Sequence, residues 1–313
     1  MPNSANHIDV SVVMSVYNEQ DTLRATVDSV LNQEGVRFEF IIIDDGSTDA
    51  SVNILKEIAR LDPRIRILRQ DNQGITKALI KGCRHAEGEF IARQDAGDIS
   101  LPGRLKTQLS ILRSQRGAVL CSTGTQYFSE LGERLMEATI SSHQANAGLR
   151  PNTLDDLIGP THHGCVMFRK QAYFECGQYR AEFKVAQDLD LWTRMIELGL
   201  HVALPDMFYQ AVLRPNAISS THRDRQERAR RLIFQCIKQR ADLGTDASAL
   251  QVVANELTKP FTATGQSATE YDYFIGSLLL QTGSKNCRAY FKRALVNRPF
   301  DLKVWFKLIK AYF

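Results

Sequence analysis

The sequence predicts an α/β protein, with a mostly parallel central sheet followed by an α-helical C-terminal region. Three observations carry this expectation. Short Val- and Ile-rich runs alternate with segments whose apolar residues recur at helical spacing, the pattern of βαβ units. Beyond about residue 220 only the helical pattern continues. Charge divides at the same place: residues 1–213 hold 22 Lys and Arg against 27 Asp and Glu, a balance of −5, whereas residues 214–313 hold 17 against 8, a balance of +9. The expected division is therefore residues 1–215 and residues 216–313.

Asp9–Ser15 reads as a buried strand that ends at the polar turn Tyr17-Asn18-Glu19. Leu23, Val27, Val30 and Leu31 then share one helical face. Phe38–Ile43 is the second strand, ending at Asp44-Asp45-Gly46-Ser47. Thr48 or Asp49 can cap the next helix, whose face is Val52, Leu55, Ile58 and Ala59. Arg64–Leu68 is a short strand, Asn72-Gln73-Gly74 a turn, and a helix runs from about Ile75 to Ala86. Glu89–Arg93 is the fourth strand, ending at Asp95-Ala96-Gly97-Asp98. Ala118–Phe128 and Cys165–Phe168 read as strands, residues 141–160 as loop, and Asp188–Leu198 as a helix. Further on, Ala229, Leu232, Ile233, Cys236 and Ile237 form one stripe, and Tyr271–Gln281, Asn286–Val296 and Leu302–Phe313 suggest three more helices.

Composition narrows the function classes. With 43% hydrophobic and 24% charged residues in 313, the chain resembles an ordinary folded protein. No run approaches the roughly 18 apolar residues of a membrane span, and Met1–Ile8 lacks the apolar core of a secretory signal. Six scattered cysteines without CxxC spacing point to reduced thiols in a cytoplasmic protein rather than zinc or redox chemistry. There is no GxGxxG after the first strand, no Walker A loop, no GxSxG and no recognised nucleic-acid motif, so nucleic acid is not an expected partner.

In parallel sheets, ligands bind beyond the carboxyl ends of the strands. Three such ends here carry Asn18-Glu19, Asp44-Asp45 and Asp95–Asp98, so an acid-rich cleft is expected. Carboxylates at Asp44 and Asp45 can accept from a base N–H or a ribose hydroxyl. Asp95 and Asp98, three apart in a glycine turn, suit Mg²⁺ or Mn²⁺ holding a diphosphate. Asp188 opens a helix, where it either caps the N-terminus or acts as a general base. His162 and His163 are neighbours in sequence; on a strand they would face opposite ways and could not share one ion.

In their order, these motifs resemble family 2 glycosyltransferases of the GT-A fold. The matching stretches are Val12 to Glu19, Ile43 to Asp49, Asn72-Gln73-Gly74 with Ala78, and Ala92 to Asp98 followed by Pro102 and Arg104-Leu105. Next come His163-Gly164 with Met167-Phe168-Arg169, and Gln187 to Trp192. They cover about residues 9–213 and leave the C-terminal hundred outside. The resemblance implies an inverting transfer of sugar from a nucleotide-sugar, UDP-linked, to a hydroxyl of a glycan or lipid-linked acceptor in cell-surface polysaccharide synthesis. It implies a nucleotide-sugar site of Val16, Tyr17, Asn18, Glu19, Asp44, Asp45, Asn72, Gly74, Lys77, Arg93, Gln94, Asp95 and Ala96. His163, Gly164, Gln187 and Trp192 would line the acceptor or diphosphate side, Asp188 would be the catalytic base, and Asp95 with Asp98 would hold a divalent cation, Mn²⁺ or Mg²⁺.

The chain departs from the family pattern in two places. The metal motif is commonly Asp-Ala-Asp-Asp, and Gly97 stands at its third position; the base is often preceded by Glu, and here by Gln187. The alternative is therefore a protein that binds a nucleotide-sugar with weak or lost turnover. The C-terminal helices either pack within the chain, join subunits, or meet the inner face of a membrane, since Trp305, Phe306, Ile309, Tyr312 and Phe313 mix with Lys303, Lys307 and Lys310.

Overall fold

The computed structural model describes residues 7–214, 223–258 and 268–312. Its centre is a nine-stranded sheet in the order β3-β2-β1-β4-β8-β6-β9-β5, with β7 paired to β6. The strands are β1 (Val10–Val16), β2 (Phe38–Asp44), β3 (Ile65–Arg69), β4 (Phe90–Asp95), β5 (Ile99–Ser100), β6 (Ala118–Ser129), β7 (Arg134–Ala138), β8 (Val166–Arg169) and β9 (Leu200–Leu213). Helices α1 (Leu23–Leu31), α2 (Ser51–Leu61) and α3 (Ile75–Arg84) are the crossovers between the first four strands.

The sheet is parallel over β3-β2-β1-β4, with Val12 facing Phe40 on one side and Ala92 on the other. Beyond β4 the character changes: β8 joins β4 and β6 antiparallel, and β5 joins β9 antiparallel. The sheet is thus mixed, and it is parallel only over its first four strands, each joined to the next by one helix-bearing crossover long enough to return the chain to a parallel start. β1 and β2 are buried on both faces, which is why they read as continuous apolar runs.

The remaining helices are α4 (Arg104–Ser114), α5 (Ser142–Leu149), α6 (Lys170–Glu175), α7 (Gln187–Met195), α8 (Arg223–Leu243), α9 (Ala247–Thr258), α10 (Ala268–Gln281), α11 (Cys287–Asn297) and α12 (Leu302–Lys310). Residues 141–160 were expected to be loop, yet α5 lies there. Its signal is a capping box, in which Ser141 Oγ accepts from the Gln144 N–H while the Gln144 side chain accepts from the Ser141 N–H.

The chain forms two compact units. One comprises residues up to 125, 138–211 and 228–259. Within it, Ala229, Leu232, Ile233 and Cys236 of α8 pack with Leu157, Phe183 and Val185. The other comprises residues 126–137, 212–227 and 260–313. In it, Leu135 shares a core with Tyr271, Ile275, Tyr290, Phe291, Val304 and Leu308. Residues 215 and 216, Ser220 and Phe313, where a domain boundary and helix ends were expected, lie outside the described residues. All six cysteines are free thiols, five of them buried. Among the described residues, no helix is long and apolar enough to cross a membrane.

Candidate active site

The first two strand ends are stitched together. Asn18, held at φ +54°, donates its N–H to Ser47 Oγ at 3.0 Å, and its side-chain oxygen accepts from the Thr48 N–H at 2.8 Å. Asn tolerates this left-handed conformation better than most residues. The Glu19 N–H donates to Ser51 Oγ at 2.9 Å, and the Glu19 carboxylate accepts from Thr22. Asp49 accepts from the Ser51 and Gln20 amides just ahead of α2, but the N-cap residue is Ala50 and carries no side-chain cap, so neither Thr48 nor Asp49 takes the cap position expected of it. Val16 is buried, whereas Tyr17 is 48% exposed at the mouth of this turn.

Asp44 and Asp45 are both buried. Asp44 Oδ1 accepts from the Ser47 N–H at 3.0 Å, and Oδ2 lies 3.1 Å from Arg69 Nε, an ion pair without hydrogen-bond alignment. Asp45 accepts from Gln70 Nε2 at 2.7 Å, from the Gln73 N–H at 3.0 Å and from the Gly74 N–H at 2.8 Å. These two carboxylates therefore fix the turn that presents Asn72, Gly74 and Lys77, which are exposed. Gly46, at φ +81°, permits the close approach: a Cβ there would lie 2.8 Å from the Asn72 nitrogen.

The end of β4 is held from below by two buried arginines. Arg93 donates from Nη2 to Asp95 Oδ1 at 2.5 Å, from Nε to His163 Nε2 at 3.2 Å, and from Nη1 to the Val13 carbonyl. Burial alone would raise the Asp95 carboxyl; the positive charge of Arg93, with His163, His162 and Arg104, outweighs it and holds Asp95 below the ordinary carboxylate range. Gln94 is wholly buried and donates to the Asp95 and Asp98 carbonyls at 3.1 Å, while its oxygen accepts from Ser100 Oγ and Arg104 Nη1. Ala96 packs against the core, and Gly97 donates its N–H to Thr26 Oγ1 at 3.0 Å.

Tyr209 of β9 completes the turn. Its hydroxyl donates to Asp98 Oδ2 at 3.0 Å and accepts from the Asp95 N–H at 3.0 Å. His162 stacks on that ring with centroids 5.3 Å apart. Its Nδ1 is 3.7 Å from Asp95 Oδ2 and its Nε2 is 3.8 Å from Asp98 Oδ2. One ligand atom from each of Asp95, Asp98 and His162 lies within 4.8 Å of the others. Two hard oxygens and one imidazole are an acceptable donor set for Mn²⁺. Arg93 occupies Asp95 Oδ1 and leaves Oδ2 turned toward His162, so the residues present fit a divalent cation. The two histidines occupy the loop before β8 rather than the strand, so strand alternation does not govern them. His162 meets the acids and His163 turns to Arg93.

His163 Nε2 accepts from Arg93 and is 2.8 Å from the Tyr179 hydroxyl. An arginine can only donate, so Nε2 is unprotonated and Nδ1 carries the proton of the neutral ring. Burial first, and then Arg93, pulls this histidine down to about 4. Its ring also meets Trp192 edge-on at 6.0 Å. Gly164 is there for space: a Cβ would come within 2.0 Å of the Tyr209 hydroxyl oxygen. Its carbonyl accepts from Arg104 Nη2 at 2.6 Å.

Helix α7 starts after Ala186, held at φ +54°, and carries two carboxylates in its first turn. They differ completely. Asp190 is buried against Arg194 Nη2 at 2.6 Å, with Arg180 Nε at 3.8 Å. Asp188 is half-buried, and among the described residues no hydrogen bond or ion pair engages its carboxylate. Its charge does reach His163 and Tyr179. Gln187 is buried, and Trp192 packs with Phe168 and Tyr179.

The structure thus brings Arg93, Asp95, Asp98, His163, Gly164 and Trp192 into one neighbourhood that the charge of Asp188 reaches. Tyr209, Tyr179 and Thr26 belong to it too, yet nothing near them in the sequence marked them out, and Arg104, part of a matching stretch, had no role assigned to it. Each acts through a long-range contact, such as the pairing of Asp98 with Tyr209.

Comparison with known proteins bears on the family and the fold. The family described as Glycosyl transferase family 2 matches residues 11–177, more than half of the chain. EpsE of Bacillus subtilis (strain 168), which carries a glycosyltransferase name, is 34% identical over 194 residues, 61% of this chain and 67% of its own. AmsE of Erwinia amylovora, named as an amylovoran biosynthesis glycosyltransferase, is 31% identical over 202 residues, 63% of this chain and 73% of its own. The structure of S. aureus TarS 1–349 in complex with UDP-GlcNAc superposes with a TM-score of 0.59 at 16% identity, covering 97% of this chain and 89% of that one, which shows a shared fold.

Proposed function

Because the chain belongs to glycosyltransferase family 2, we propose that it transfers a sugar from a UDP-linked donor to a hydroxyl of a glycan or lipid-linked acceptor, with inversion, in cell-surface polysaccharide synthesis. The observation that carries this reading is the contrast on α7: Asp190 is locked in an ion pair, while among the described residues no hydrogen bond or ion pair engages the Asp188 carboxylate, whose charge reaches His163. The naming of AmsE for a polysaccharide and the UDP-GlcNAc complex of TarS support the acceptor and donor classes.

In this reading Asp188 accepts the proton of the acceptor hydroxyl as its oxygen attacks the anomeric carbon from the side opposite the leaving group. The bond to the nucleoside diphosphate breaks, and no covalent enzyme intermediate forms. A positioned base contributes about 10²–10⁴-fold. Arg93 holds Asp95 ionised and keeps Nδ1 of neutral His163 as a donor. A divalent cation, bound by Asp95, Asp98 and His162, would neutralise charge on the departing diphosphate. Tyr17, Asn18, Asn72, Gly74 and Lys77 are the exposed members of the nucleoside side, while Asp44 and Asp45 act by shaping the turns. The same reading places the enzyme on the cytoplasmic side, at the membrane's inner face.

Calorimetric titration of UDP, GDP, CDP and dTDP, each with and without Mn²⁺, tests the proposal. Mn²⁺-dependent binding of UDP is expected. Binding of none of them would overturn the donor assignment. Gly97 favours one other reading, donor binding without turnover, because it supplies no third carboxylate. That reading predicts UDP binding with no product over a broad acceptor screen.

A further inference from the structure

Helix α12 carries two apolar faces, and among the described residues one of them joins a core. Val304 and Leu308 point into the core shared by α10 and α11. At about 100° per residue, Leu302, Trp305, Phe306, Ile309 and Tyr312 fall on another side. All five are exposed, Phe306 to 69% and Leu302 to 81%, and Phe300 just before the helix is exposed to 91%. Single exposed apolar residues are ordinary, but four on one nine-residue helix, flanked by Phe300 and Tyr312, are not.

The charges beside this face point to what covers it. Lys303 and Lys310 follow directly on its edge, and Lys307 comes next, its ammonium 5.8 Å from the Tyr273 ring. Among the described residues no carboxylate pairs with any of the three. Residues 268–312 hold eight Lys and Arg against three Asp and Glu. All three acids are already engaged: Glu270 with Arg298, Asp272 with Arg293, and Asp301 as the N-cap of α12. The Trp305 indole N–H donates to the Pro299 carbonyl at 2.7 Å, so this ring can enter an apolar layer without an unpaired donor. A helix with Trp, Phe and Leu on one face and lysines along its border suits the interface of an anionic bilayer.

We propose that α12 lies in the plane of a membrane rich in anionic phospholipid, with Leu302, Trp305, Phe306 and Ile309 inserted and Lys303 and Lys310 at the headgroups. This deepens the membrane placement proposed above and rests on it. Sedimentation of the full chain with vesicles of equal parts phosphatidylglycerol and phosphatidylcholine, and with phosphatidylcholine alone, tests it. Binding to the anionic vesicles is expected, and it weakens as salt screens the lysines. The exposed-face variant Phe306→Ser with Ile309→Ser should bind at least about tenfold more weakly. Lys303→Glu with Lys310→Glu should lose a comparable factor. Equal pelleting of the wild type and both variants would overturn the proposal, as would no binding to anionic vesicles. A concentration-dependent dimer abolished by the Phe306 and Ile309 changes, with no vesicle binding, would instead assign the face to a second copy. Nucleotide titration keeps the two proposals apart: a wild type that binds UDP but no anionic vesicle overturns only the membrane face, and variants that lose vesicles but keep UDP have lost only that face.

Discussion

Asp188 and Asp190 lie two residues apart on α7, and the same isosteric change should have opposite consequences at each. Asp188→Asn removes a base and disturbs no described hydrogen bond or ion pair. Its melting temperature should therefore stay within about 2 °C, since changes away from such features fall within about 0.5 kcal/mol. Its turnover should fall by about 10²–10⁴-fold, the usual contribution of a positioned base. Asp190→Asn breaks a fully buried pair with Arg194, at 2.6 Å, and leaves Arg180 with a weakened partner. Breaking such a pair from one side costs about 3–5 kcal/mol. At 2–4 °C per kcal/mol for a unit of this size, the melting temperature should drop by roughly 6–20 °C. The assay is release of UDP from a UDP-sugar with acceptor present, read beside a thermal melt and a UDP titration. Normal turnover by Asp188→Asn with UDP binding intact would refute the assignment of the base. A melting temperature unchanged by Asp190→Asn would refute the contrast drawn between the two carboxylates.

His162→Ala should weaken Mn²⁺ binding in the presence of UDP at least about tenfold while leaving the fold intact; unchanged affinity would remove His162 from the cation site. Gly164→Ala places a methyl group in the space of the Tyr209 hydroxyl. A thermal melt should show a loss of about 1–3 kcal/mol, and Mn²⁺ binding should weaken as Tyr209 leaves Asp98. His201 is buried with Nε2 beside Ser122 Oγ, and burial pulls it from 6.5 to about 4. The unfolded chain then takes up the proton first, so this contribution is present above about pH 6.5 and is lost as pH falls toward 4. Between pH 7.5 and 5 the loss is roughly 2 kcal/mol, and His201→Gln should flatten that acid limb of a pH-dependent melting series.

Much of the fold was legible because local pattern and burial agree in its first half. Val10–Val16 and Phe38–Asp44 are buried on both faces, so composition alone marks them as strands. Helix α5 was missed although its capping box was present, because loop-like composition around residues 141–160 hid a short helix. The long strand β9 was missed for a different reason. Its residues alternate between buried, half-buried and exposed without a steady period, and its pairing partners lie far away in the chain.

By itself the sequence determined the order of the strand ends, the acids gathered on them and the family to which they belong. Those features depend on residue type and spacing along one stretch of chain. Only the tertiary structure decided which donors each acid meets. Asp44 and Asp45 are taken up by Arg69, Gln70 and the backbone amides of residues 73 and 74, whereas Asp95 Oδ2 and the carboxylate of Asp188 stay available. The physical reason is that a carboxylate's role is set by the donors around it. Some of those donors are neighbours in sequence, as Arg93 is to Asp95 and Arg194 to Asp190, but Gln70, Tyr209 and His162 are brought to the acids only by folding.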